Sequence, residues 1–197
     1  MRDRENDSTL PLAQQFRFDA GSAALNLLAT RGFRRSASPV ERLTSARRLE
    51  DWLAASELPA VAVDDAGLGA ARELREAAYA VVAAGVLAPG HAAGAADVGV
   101  LGRWSARPLP GPGLRLLPGG AVARQEPAAC LDDVLTALAR ELAACAADRP
   151  PALRTCEAGT CGMLYLDESR GHRRRWCSMA RCGNAAKVAA YRARASQ

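Results

Sequence analysis

Large side chains are scarce in this sequence: aromatic residues make up 5% of its 197 positions, and much of the 49% apolar fraction is alanine. Alanine favours helices but contributes little burial energy, so any core must rest on stripes of Leu and Val, and a mostly helical protein of modest stability is expected. No stretch approaches the roughly 18 uninterrupted apolar residues of a membrane span. The charged start MRDRENDSTL has no apolar run behind it of the kind a secretory signal needs. Both absences lead to the expectation of a chain in the reducing cytoplasm with no membrane partner, where six cysteines speak for metal or free thiols and not for a disulfide frame. Catalytic signatures are missing too. There is no phosphate loop, no G-x-S-x-G and no H-E-x-x-H, and GLGAAR has too few glycines for a dinucleotide turn. Of the two histidines, His91 in PGHAAG has no Ser, Cys or acidic partner at a recognisable spacing, and His172 falls in a turn. No enzymatic activity is expected, and no repeat of 20–50 residues is found.

Helical signals alternate with turns. FDAGSAALNLLATRG carries Ala23, Leu27 and Leu28 at helical spacing, with a strand as the alternative at its start and Gly32 suited to the end of a helix. In SPVERL, Ser38, Pro39 and Glu41 predict a capping box opening a helix through Leu43, Leu49, Trp52 and Leu53. A third helix is expected from Asp64 or Asp65 through Leu68, Leu74 and Val81/Val82 to Gly85. Between Pro89 and Gly120 helical periodicity is lost, and LRLLPGGAVARQ predicts a hairpin around Pro118-Gly119-Gly120. AACLDDVLTALARELAAC restores a stripe at Leu131, Val134/Leu135, Leu138 and Leu142. Cys130 and Cys145 fall on this helix about 22 Å apart, too far to bridge, and are read as small buried apolar residues. Asp148-Arg149-Pro150-Pro151 is the linker candidate, dividing the chain into domains 1–150 and 151–197.

Charge divides at the same place. Residues 1–151 carry 17 Lys/Arg against 18 Asp/Glu, while 152–197 carry nine against three. Cys156, Cys161, Cys177 and Cys182 stand there as C-x4-C-x15-C-x4-C. Zinc takes four soft ligands in a tetrahedron, and two tight turns joined by a hairpin deliver them. The spacer GMLYLDESRGHRRRW predicts a strand through Leu164 and Leu166, a turn at Asp167–Gly171 and a return strand ending at Trp176. With all four positions filled by protein, such a zinc is structural. Four buried cysteines without metal are the alternative, disfavoured because about 46 residues with few large apolar groups fold poorly without a staple.

The stretch WCSMARCGNAAKVAAYRARA resembles the CGNR zinc finger, whose pattern W-C-S-M-x-x-C-G-N-R-x-K is matched over 153–195 except that Ala185 replaces its arginine. Upstream, FDAGSAALNLLAT, the helix with Trp52, ARELREAAYAVV and the Gly-rich hairpin resemble the ABATE domain that precedes that finger. The resemblance implies an α and β N-terminal domain, a DNA-binding C-terminus requiring zinc, and a stress-induced transcription regulator.

The fold class expected is therefore α+β and mostly helical: a helical domain with a small hairpin, then a zinc-ribbon-like hairpin plus helix. Asn184–Ala195 reads as a helix capped by Asn184, with Lys187, Tyr191 and Arg194 on one face and Ala186, Ala189, Ala190 and Ala193 on a face laid against the ribbon. With Arg173, Arg174, Arg175, Arg181 and Arg192, that face is the candidate nucleic-acid surface. Three readings stay open: a DNA-binding regulator, a zinc-stapled protein-interaction module, and a sensor binding a small molecule in 1–150 under the Gly/Pro loop of 85–120. A homodimer is open as well.

Overall fold

The computed structural model describes residues 7–84, 86, 92–148 and 150–195. Gly85, His91 and Arg149, named above as helix end, loop histidine and linker residue, lie outside the described residues.

Helix α1 (Ala23–Leu28) starts where the Ser22 hydroxyl accepts the Leu25 N–H at 3.2 Å, satisfying one of the donors a helix start leaves open. It stops before Gly32. Arg31–Gly32 forms strand β1, paired antiparallel with β2 (Val40–Glu41). The capping box expected at Ser38 is thus replaced by a strand, and the reason is Glu41. Its carboxylate takes a two-pronged contact from buried Arg75 at 2.6 and 2.5 Å and the Leu43 N–H at 2.9 Å, which holds it away from any helix start. Helix α2 (Ala46–Ala55) begins later, capped by Ser45 on the Arg48 N–H, and still buries Leu49, Trp52 and Leu53 as the periodicity required.

Helix α3 (Asp65–Ala84) opens with Asp64 accepting the Gly67 N–H at 2.7 Å and buries Leu68, Leu74 and Val82. The segment expected to lack helix contains α4 (Ala95–Ser105). Gly99 and Gly102 weaken its propensity and only Leu101 is fully buried, so the stripe was too short to read; packing against α3 and against α5 (Leu131–Asp148) fixes it instead. Strands β3 (Gly113–Leu116) and β4 (Val122–Gln125) form the expected hairpin. It stands in solvent, with Leu114 and Leu116 exposed. In α5 the predicted stripe is buried at Val134, Leu135, Leu138 and Leu142, while Leu131 at its start is half-buried. The two cysteines there depart from expectation: Cys130 is exposed just before the helix, its thiol donating to Asp133 at 3.0 Å, and Cys145 is half-buried.

Helices α3, α4 and α5 pack on one another, with α1 against α3 and α5. Their core of Leu25, Leu28, Trp52, Leu74, Leu135 and Leu142 continues without a break into Leu153, Met163, Leu164 and Tyr165 beyond residue 150. Backbone bonds cross with it: Leu166 N–H donates to the Ala20 carbonyl at 2.8 Å. No helix among the described residues is long and apolar enough to cross a membrane.

Candidate metal centre

Strand β5 (Leu153–Thr155) pairs antiparallel with β6 (Leu164–Leu166), so the loop of this hairpin is the first cysteine pair itself. The return strand expected up to Trp176 does not form. Residues 172–176 are irregular because they are bound by side chains: buried Asp167 accepts the Arg174 N–H at 2.8 Å together with the Ser169 N–H and hydroxyl, and Tyr165 donates to the Arg174 carbonyl at 2.6 Å. Burial opposes ionisation of Asp167, but the Ser169 hydroxyl and the two N–H groups outweigh it and hold the carboxyl below its usual range.

The four thiols converge. All their sulfurs lie within 4.8 Å of one another, Cys161 to Cys177 at 3.7 Å and Cys177 to Cys182 at 3.5 Å. A tetrahedron of sulfurs about 2.3 Å from zinc has edges of about 3.8 Å. Cys156, Cys161 and Cys177 are buried and Cys182 is partly so. The cluster shares charge unevenly: hydrogen bonds from Cys161, Cys177 and Cys182 push Cys156 toward the thiolate, whereas donation to Cys156 holds Cys161 protonated. A dication removes this conflict by letting all four ionise.

The surroundings fit that dinegative tetrathiolate. Arg42 is buried with no carboxylate partner among the described residues, its Nη1 on the Ala29 carbonyl at 2.8 Å and its Nε without a partner. Burial first, and then Arg17 and Arg181, push it down to about 10, while Cys161 acts the other way. The four cysteines thus fit one structural zinc.

The first pair is held by residues that sequence reasoning missed. Arg34 and Arg35 donate their backbone N–H groups to the Cys161 and Thr160 carbonyls at 3.0 and 3.1 Å, and the Arg35 guanidinium reaches the Cys156 carbonyl and the Thr155 hydroxyl. Tyr79 of α3 donates to the Gly162 carbonyl at 2.6 Å. Gly162 has φ +67°, and a Cβ there would meet Arg34, Arg35 and the Tyr79 hydroxyl at 3.2–3.3 Å. These partners lie 80 or more residues upstream, and their only trace in the sequence is the cationic RGFRR cluster.

Around the second pair, the π-helical turn Met179–Gly183 runs directly into α6 (Asn184–Ala195). Asn184 is therefore helical and not a cap; its amide donates back to Ala180 at 3.5 Å. On the alanine face expected to lie against the ribbon, Ala186 is half-buried and Ala189 is exposed. The basic candidates separate as well. The Arg174 guanidinium donates to the Trp176 and Cys177 carbonyls, Arg175 pairs with Glu157 at 2.6 Å, and Arg181 donates to the Leu12 carbonyl and the Gln15 amide. Arg173 and Lys187 are exposed with no bonded partner among the described residues, and Arg192 and Arg194 lie exposed on α6.

A family profile for "ABATE: Putative stress-induced transcription regulator" matches residues 21–149, and one for the CGNR zinc finger matches 152–195. The chain belongs to the ABATE family. Its ABATE region ends one turn before the hairpin that carries the first cysteine pair, and the CGNR module supplies all four ligands. No curated protein matches the chain.

Proposed function

We propose that this ABATE protein is a transcription regulator whose CGNR module binds duplex DNA, with the zinc fixing the module and the N-terminal region receiving the signal. The observation that carries the reading is that Lys187, Arg192, Arg194 and Tyr191 of α6 and Arg173 are all exposed on a module with nine Lys/Arg against three Asp/Glu. Arginine and lysine so displayed suit phosphate oxygens, and a neutral ring suits the sugar backbone. Arg174, Arg175 and Arg181 build the module and are left out of the contact surface.

If about four phosphates are neutralised, log K falls with log salt at a slope of about −3.6. Lys187→Glu combined with Arg173→Glu in the full zinc-loaded chain is expected to weaken binding to all duplexes alike and flatten that slope. Binding that is insensitive to salt and to both substitutions would reject DNA in favour of the protein-interaction reading, which the exposed Met179 and Val188 support.

For the input, a cleft of about 520 Å³ lies between the segment of residues 7–18, α1 and the end of α2, lined by Phe16, Phe18, Asn26 and Ser56 among others. It is in the size range of small-molecule sites. This is not the 85–120 loop named from the sequence, part of which lies outside the described residues.

A further inference from the structure

The second cysteine pair is touched by a charged residue 160 positions away in the chain. Arg17, 7% exposed, points its Nη2 at the Cys177 sulfur at 3.4 Å, and its Nε and Nη2 are gripped by Asp19 at 2.9 and 2.5 Å. Cys177 is itself fully buried and takes the Arg174 guanidinium on its carbonyl. One cation therefore sits on its sulfur and another on its backbone. Arg181 ties the same knuckle to Leu12 and Gln15, in the segment that leads to Arg17.

We propose that Arg17 is a positioning residue of the zinc centre: its guanidinium donates a charge-assisted hydrogen bond to the Cys177 thiolate and thereby sets how firmly the second knuckle holds the metal. Four thiolates around Zn²⁺ leave two negative charges in a buried site, and a buried N–H donor to sulfur offsets part of that charge while fixing the direction of the lone pair given to the metal. Asp19 competes for the fork, its Oδ2 taking the same Nη2 that faces the sulfur. The carbon skeleton of Arg17 is not the point; the donor is.

The test uses the full chain loaded with Zn²⁺, and in parallel with Co²⁺, whose thiolate-to-metal charge-transfer band reports on the sulfur. Arg17→Met keeps an unbranched apolar stem and removes the donor. It is expected to weaken zinc about 10- to 100-fold in chelator competition and to move the cobalt band to lower energy, because a sulfur lone pair without its hydrogen bond is easier to ionise. Arg47→Met, at an exposed position on α2, should change neither. Wild-type affinity and an unmoved band in a folded Arg17→Met protein, judged by circular dichroism, overturn the proposal. Should that variant fail to fold, Asp19→Asn decides: with its competitor neutralised, Arg17 is expected to bind sulfur more firmly and shift the band to higher energy, and a band unmoved or shifted to lower energy overturns it.

Discussion

Among single residues, the cysteines and the buried arginines carry the sharpest consequences. Cys177→Ser is expected to lower bound zinc from one per chain to well below one, since the site loses a soft ligand that is fully buried; elemental analysis of protein purified without chelator measures it, and a retained full equivalent would contradict the tetrathiolate. Arg75→Met should destabilise by about 2–3 kcal/mol in urea melts, less than the roughly 3–5 expected for a fully buried pair because Glu41 is a third exposed. The zinc ligands were legible because their spacing is local and regular. Arg17, Arg34, Arg35 and Arg75 were not, because an isolated arginine in a sequence looks the same whether it is bathed in water or pressed against a carbonyl 100 residues away.

At the level of elements, the helices with a full apolar stripe were readable and the others were not. The α5 stripe predicted the buried Val134, Leu135, Leu138 and Leu142, missing only at half-buried Leu131, whereas α4 announces itself by one buried leucine. The Glu41 capping box was a correct pattern with a stronger competitor, the Arg75 guanidinium. The expected return strand failed for a similar reason, since Asp167 satisfies the backbone that a ladder would have used. A prediction belongs here. Gly162→Ala forces a side chain into left-handed backbone at the edge of the first knuckle, where the conformation alone costs about 1–2 kcal/mol; a lower midpoint of thermal unfolding with zinc content preserved is expected. The exposed Leu114 of the hairpin offers the contrast: Leu114→Ser should stay within about 0.5 kcal/mol of the parent.

For the whole molecule, the continuous core bears on what metal removal does. The sequence divides the chain at residues 150–151, and it suggests that stripping zinc unfolds only the tail. Since Tyr165, Leu164 and Met163 share a core with Trp52 and Leu74, chelation is instead expected to loosen α1 and α3 as well, seen as faster amide exchange at Leu27 and Tyr79; exchange confined to 152–195 would speak for independent units. Acid should act on the same assembly. Burial would raise Glu41 and Glu76, but Arg75 and Arg34 prevail and hold both carboxyls below 4.5. Their contribution is complete above that pH and is lost as pH falls below it. The urea midpoint should drop as pH is lowered below about 4.5, with a shallower drop in Glu76→Gln.

The bond from Arg17 to Cys177 and those from Arg34 and Arg35 to the first knuckle span 120 to 160 residues. During synthesis the strap of residues 16–35 emerges long before the cysteines that complete it, so those arginines wait with their donors solvated while the helices between them assemble. Closing so large a loop costs only about 0.6 kcal/mol more for each doubling of length, but contacts of such separation form slowly. Docking of the strap onto the cysteine knuckles, whose own four ligands are local in the chain, is thereby expected late in folding, as the event that closes the chain upon its own beginning.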